Sequence, residues 1–286
     1  MTLSVNTNIG AMAALQSLNA TNKDLTTTQN RINTGLNVSS TKDDSAKYTI
    51  AQTLRSDVAG LSAVTSSLSR AKSVTDVATA GAEQISDVII QMKAKAVEAA
   101  DDGLTSDSRA AINKDFTALR DQITSIVNSS SFNGTNLLKT GGGTVTALQS
   151  LNDSDSTTAG YQTDSLNVSN QGMDLAATGT AGALCVDSQI TSSADAKAMV
   201  DTLTTLTQTT NTKLSTLGAA SRQIDTQSTF ISKLSDSITA GIGNLVDADL
   251  AKESAKLQAL QVKQQLGVQA LSIANQAPQT ITSLFR

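Results

Sequence analysis

Histidine and tryptophan do not occur in this chain of 286 residues, and cysteine and proline occur once each. Without histidine there is no Ser-His-Asp or Cys-His nucleophile pair and no imidazole-ligated metal. With Cys185 alone, no internal disulfide and no Cys-x-x-Cys site can form. Its thiol reads as a small apolar side chain rather than a nucleophile. Aromatic residues make up 2%, too few for a broad core of large rings, although Leu, Ile, Val and Ala can fill a narrow seam between helices. Charged residues reach only 16%, against about 25% in an ordinary soluble domain. The net charge of −4 and pI near 4.8 argue against nucleic acid or an anionic membrane as partner. No apolar run approaches the roughly 18 residues of a membrane span. The opening Met1-Thr-Leu-Ser-Val lacks the basic and apolar regions of a secretory signal peptide, so any export is expected to use another route. No phosphate-binding glycine loop and no calcium-loop spacing occurs. The acids at Asp101-Asp102 and at Asp247 and Asp249 read as helix caps. The expectation is a protein that is not an enzyme and has no cofactor, metal or small-molecule substrate.

What the chain has is helical periodicity. Asn8, Ala11, Leu15, Leu18, Asn22, Leu25, Gln29 and Ile32 recur in steps of three and four, a coiled-coil stripe with polar interruptions that weaken it but help set register. Gly35 ends this helix, and a Ser- and Asn-rich connector follows to Asp44. The next helix is predicted from about Ser45 to Ala100, with Leu54, Val58, Leu61, Val64, Leu68 and Ala71, then Ile85, Ile89, Met92 and Ala96, on one face. Asp101-Asp102-Gly103 breaks it. Another helix starts near Ser106 or Asp107, either of which can cap it; its seam is Ile112, Phe116, Leu119, Ile123 and Ile126. Phe132-Asn133-Gly134 is a turn, because Asn-Gly accepts positive φ. From Thr140 to Ala196 there is no Lys or Arg, and Ser and Thr dominate. Thr144–Leu148 and Ser165–Val168 read as strands of a small insert; a loop without regular structure is the alternative. Helical spacing returns near Ala196, with Val200, Leu203, Leu206, Leu214, Leu217, Ile224, Ile231, Leu234 and Ile238, and runs to Gly241-Ile-Gly243. A final helix is predicted from about Ala248 to Asn275, with Leu250, Leu257, Leu260, Leu271 and Ala274 on one face and Pro278 as its stop.

The fold class is therefore mainly α: long antiparallel helices in a coiled coil from both chain ends, with a small β-rich insert in the middle. Two paired helices cover one stripe on each other, and Leu266 and Ile273 lie beside the main C-terminal seam. Apolar surface left over in this way calls for a neighbour. Identical copies joined head to tail without closure form a helical filament.

Several blocks resemble the bacterial flagellin family. Ser4-Val-Asn-Thr-Asn-Ile-Gly10 and Ala14-Leu-Gln-Ser-Leu-Asn19 are similar to the family opening. Arg31-Ile-Asn-Thr-Gly35 followed by Asp43-Asp-Ser-Ala46 resembles a second block, and Phe132-Asn-Gly134 with Leu137-Leu138 a third. Asp247-Ala-Asp-Leu-Ala-Lys-Glu253, Ala274-Asn-Gln-Ala-Pro-Gln279 and Leu284-Phe-Arg286 match the family's C-terminal block. The likeness covers roughly residues 1–138 and 196–286, and the short insert resembles alphaproteobacterial members.

The resemblance implies a structural subunit that polymerises into the flagellar filament for swimming, extracellular, and exported by the flagellar type III apparatus without a cleaved signal peptide. It implies an inner coiled-coil domain from 1–34 and 250–286, connectors at 35–44 and 242–249, a helical core domain from 45–138 and 196–241, and a variable surface insert at 139–195. The assembly seam would comprise Leu15, Leu18, Leu25, Ile32, Leu250, Leu257, Leu260 and Leu271. Implied partners are further copies, other flagellins, an export chaperone, and cap and hook-associated proteins. Ser and Thr of the insert would be candidates for O-linked sugars. In members sensed by the vertebrate flagellin receptor, the long N-terminal helix carries a motif like Gln-Arg-Val-Arg-Glu-Leu-Ala-Val. Here Gln91, Lys93 and Ala94 occupy its Arg, Arg and Glu positions, and neither Gln nor Lys offers the forked contact of Arg. A hook–filament junction protein, related through similar terminal coiled coils, is the alternative. An adaptor or enzyme is more remote.

Overall fold

The structure is a computed structural model that describes residues 7–153, 163–176 and 184–282. The stretches 1–6 and 283–286, which hold the extremities of the matching end blocks, lie outside the described residues, as do 154–162 and 177–183 of the insert. In chain order the elements are α1 (Ile9–Thr34), α2 (Ser45–Ala99), α3 (Ser106–Ser129), β1 (Val145–Asp153), β2 (Thr163–Val168), α4 (Ser193–Val246) and α5 (Leu250–Thr282). The chain divides into two units: Met1–Val58 with Asp236–Arg286, and Ala59–Ser235.

In the first unit, α1 lies antiparallel to α5. Gly35, at φ 71°, caps α1 in the left-handed conformation that favours glycine. The connector that follows is packed, not slack. Leu36 bridges Asp247, the Gly35 carbonyl accepts from the Ala248 amide at 2.9 Å, and the Val246 carbonyl accepts from Asn37 at 2.7 Å. Val38, Ala51 and Val246 form a small buried cluster beneath it. Asp43 closes the connector, its Oδ2 accepting from the amides and hydroxyls of Ser39 and Ser40. Asp44 caps α2 by accepting from the Lys47 amide at 3.0 Å. Asp249 does the same for α5 through the amides of Ala251 and Lys252.

In the second unit, α2 buries Leu61, Val64, Leu68, Ala71, Thr75, Ala78, Ala82, Ile85, Ile89, Met92, Ala96 and Ala99. These alternate in steps of three and four without a break, the period of a helix packed continuously from Leu61 to Ala99. On α4 the deepest positions fall every seventh residue: Ala196, Leu203, Thr210, Leu217, Ile224 and Ile231. Lys72 reaches Asp225 at 3.1 Å and Lys197 reaches Asp102 at 3.1 Å, pairings that run α2 and α4 antiparallel here. α3 contributes Ile112, Phe116, Ile123 and Val127. β1 and β2 form an antiparallel hairpin, Val145 opposite Val168 and Ala147 opposite Leu166, with an irregularity between Leu148 and Asp153. Those four residues are buried on one face. The hairpin is tied to the helices by Leu148 N to Ser67 Oγ (3.1 Å) and Gln227 Nε2 to the Gln149 carbonyl (2.7 Å).

Four sequence expectations need correction. Thr105, not Ser106 or Asp107, caps α3, its hydroxyl accepting from the Ser108 amide; Asp107 lies in the first turn, where its charge suits the helix dipole. Val127, not Ile126, occupies the last buried position of that helix. α4 passes through Gly241 and Gly243 to Val246, because glycine permits a helix end without imposing one and Val246 is anchored in the Val38 cluster. α5 passes through Pro278 to Thr282.

Candidate assembly interface

The α1–α5 seam is narrow. On α1 the covered positions are Ala11, Ala14, Leu18, Thr21, Leu25, Thr28 and Ile32. On α5 they are Glu253, Leu257, Leu260, Gln264, Gly267, Leu271 and Ala274. Both sets alternate by three and four. The side chains are small or polar at many levels, so the helices come close. An ideal Cβ on Gly267 would lie 3.3 Å from Cδ1 of Leu18.

Of the seam residues named from sequence, Leu18, Leu25, Ile32, Leu257 and Leu271 are half-buried and Leu260 is buried at 7% exposure. Leu15 is a correction: at 48% exposure it stands outside this seam, with Ala14 in its place. Asn22 and Gln29 are likewise replaced by Thr21 and Thr28. Both paths pass through positions 11, 18, 25 and 32, and the structure takes the one with smaller side chains. Leu250, the first residue of α5, is 50% exposed and likewise stands outside the covered positions.

Polar groups fix the register. Arg31 Nη1 meets Glu253 Oε1 at 3.2 Å, with side-chain exposures of 27% and 10%. Gln264 Nε2 donates to Asn22 Oδ1 at 2.8 Å. Thr28 Oγ1, Arg31 Nε and Glu253 Oε2 are buried without a hydrogen-bond partner among the described residues. Outside the seam Ile9, Met12 and Leu15 of α1, and Val262, Leu266, Val268 and Ile273 of α5, are each about half exposed or more.

In the second unit the expected Asn-Gly turn forms, and beyond it stand groups that the sequence reading passed over, Asn136, Asn170, Asp174 and Lys213 among them. Asn133 and Gly134 take φ of 50° and 81°, and Phe132 and Thr135 exchange two 3.0 Å hydrogen bonds around them, a tight turn of the primed type. The next segment buries Leu137 and Leu138 completely. It is organised by Asn136, whose amide donates to the Val127 carbonyl at 2.6 Å and accepts from the amides of Leu138 and Lys139. Asn170 donates to the carbonyls of Asn136, Lys139 and Gly143. Lys213 donates to the Gly172 carbonyl; burial pushes its pKa down, against the opposing charge of Asp174. At Asp174 burial raises the pKa, but bonds from the Thr140 hydroxyl and amide outweigh it and the net shift is down. These are structural clasps, signalled in sequence only as scattered Asn, Gly and Asp of an ordinary loop. Asp101 makes a turn by accepting from Gly103 at 2.9 Å, and Asp102 binds Ser193 and Lys197, so neither caps α3.

Of the receptor-motif positions on α2, Gln91 and Ala94 are exposed and Lys93 is half-buried. Lys95 is engaged by Glu98 and Asp115 at 3.2 and 3.4 Å, and the Glu98 bond leads in raising its pKa. No helix among the described residues is long and apolar enough to cross a membrane.

Paired terminal helices, a heptad-packed middle and a small clasped hairpin define the class: a helical structural protein. The family model for the bacterial flagellin N-terminal helical region matches residues 5–141, and that for the C-terminal helical region matches 194–285. The chain is 47% identical to flagellin FljK of Caulobacter vibrioides over 99% of its own length and 98% of that protein. It is 38% identical to a flagellin of Brucella melitensis over 99% of both chains, and 35% identical to flagellin C of Rhizobium meliloti, again over 99% of both. The chain belongs to the flagellin family, with an alphaproteobacterial-like stamp. It is a structural subunit of the extracellular flagellar filament and not an enzyme. The relatives reported carry the flagellin name, and nothing favours the hook–filament junction alternative.

Proposed function

We propose that α1 and α5 are the assembling ends of this flagellin, with the half-covered pair completed by neighbouring copies in the filament. The carrying observation is the apolar row left outside the seam, Ile9, Met12 and Leu15 with Val262, Leu266, Val268 and Ile273. A pair joined through Ala, Thr, Gly and single leucines is weak alone, since isolated helices are marginal in water. The exposed row supplies the missing burial when copies stack. By resemblance, 1–34 with 250–286 form the inner domain that lines the channel, 45–138 with 196–241 the filament core, and 139–195 the outer surface. The same reading gives α5 a chaperone before export and gives the filament a cap and hook-associated partners.

Deleting residues 1–20 or 267–286 tests this. Filament formation by purified protein is expected to fail while helical circular dichroism from the middle of the chain persists. Normal filaments from either deletion would reject the reading.

A second reading concerns the receptor motif. Gln91 and Ala94 in place of Arg and Glu, with Lys93 for Arg, remove the forked donor and the acid. The chain is expected to be a poor agonist in a reporter assay, and Gln91→Arg with Lys93→Arg and Ala94→Glu to raise the response. A strong response from the unaltered protein would reject this.

A further inference from the structure

Proline has no N–H, so within a helix it leaves the carbonyl four residues earlier without its usual donor. α5 continues past Pro278, and the carbonyl so deprived belongs to Ala274. Here that carbonyl accepts a hydrogen bond from Nδ2 of Asn8 at 2.7 Å, across 266 positions of sequence. The same side chain accepts, through Oδ1, the amide of Ala11 at 3.0 Å and so caps α1. One planar amide therefore satisfies two orphan backbone groups, a donor at the start of α1 and an acceptor on α5. The chemistry selects the residue. Aspartate caps a helix as well as asparagine, but an ionised carboxylate cannot donate. The backbones are close at this level, an ideal Cβ on Gly10 lying 4.0 Å from that of Ala274.

We infer that Asn8 and Pro278 are a matched pair that sets the register of the two chain ends: Asn8 is a positioning residue that recognises the carbonyl Pro278 leaves open. Elsewhere in the body of α5 each carbonyl already accepts the helix's own N–H, so a slipped register gives up the acceptor that lacks its intrahelical donor and leaves it unpaired. Arg31 with Glu253 and Gln264 with Asn22 mark the register further along the seam; at the level of Asn8 the helices meet through the small residues Gly10, Ala11 and Ala274, which makes such a mark useful. The inference rests on α1 and α5 being the assembling pair.

The test is a double-mutant cycle in the purified full-length chain, using Asn8→Asp and Pro278→Ala. The readout is the critical concentration for growth from filament seeds. Asn8→Asp keeps the cap and removes the donor; it is expected to raise the critical concentration about five- to ten-fold, the effect of leaving one partly buried carbonyl unpaired. Pro278→Ala restores an N–H at 278 and is expected to be nearly neutral alone. In that background Asn8→Asp is expected to cost less than about two-fold, so the two changes couple. Equal cost of Asn8→Asp in both backgrounds overturns the inference. So does an Asn8→Asp chain that cannot polymerise and is not rescued by Pro278→Ala, or a Pro278→Ala chain that itself fails to polymerise. Normal polymerisation after the terminal deletions would instead reject the assembling pair, which separates the two failures.

Discussion

Gly81 lies inside α2, where intrinsic propensity favours alanine by about 1 kcal/mol. Its surroundings reverse that preference. A Cβ there would come within 2.2 Å of Ser130 Oγ and 2.8 Å of Leu138 Cδ1, and Leu138 is fully buried. Gly81→Ala is expected to destabilise the monomer by about 1–3 kcal/mol, the usual cost of overpacking, seen as a lowered midpoint in urea. An unchanged or raised midpoint would mean that Ser130 and Leu138 yield freely. Asp43 gives a pH signature. Bonds from the Ser39 hydroxyl and amide, then from Ser40, hold its carboxyl below the ordinary 3.8. A depressed folded-state value stabilises above the ordinary value and is lost as pH falls through the folded one. The Ser39 and Ser40 amide resonances are therefore expected to move together in an acid titration, with a midpoint below 3.8, and Asp43→Asn is expected to abolish that step. A midpoint at or above the ordinary value would contradict the geometry.

Between elements, the α1–α5 seam makes its own predictions. Thr28 is fully buried and its hydroxyl has no partner among the described residues. Thr28→Val keeps the shape and removes the unpaired group, so it is expected to stabilise filaments by about 1 kcal/mol and raise their depolymerisation temperature. A fall in that temperature would show that the hydroxyl is satisfied in the filament. Arg31 and Glu253 behave as a unit. Glu253→Ala strands the guanidinium and is expected to cost about 1–2 kcal/mol, discounted because Arg31 keeps 27% exposure. Changing both residues to leucine is expected to cost less than the single change, measured by the same depolymerisation scan. The extents of α1 and α2 were legible in sequence because heptad spacing and Gly35 speak locally, whereas Gly241 and Gly243 did not mark the end of α4. The choice between Leu15 and Ala14 was not, since two stripes share positions 11, 18, 25 and 32 and only the partner's approach distance selects one. Nor was the passage of α5 through Pro278 legible, because the compensating donor lies at the other end of the chain. The motif residues Asp43 and Asp44 were visible, but their distinct tasks of closing a loop and capping a helix depend on where Ser39, Ser40 and Lys47 fall in space.

For the molecule as a whole, stability is unevenly spread. The middle buries long rows of Leu, Ile, Val and Ala on α2 and α4, whereas the terminal pair buries few large side chains and exposes several. A filament subunit gains from this division, because ends that are incomplete alone bind copies of the same chain. Hydrogen exchange, compared between monomers and filaments, tests that division most directly. Amides of residues 9–34 and 250–276 are expected to exchange within seconds in monomers and to be strongly protected in filaments, while 61–99 stay protected in both. Strong protection of the two terminal segments in monomers at high dilution would contradict the account.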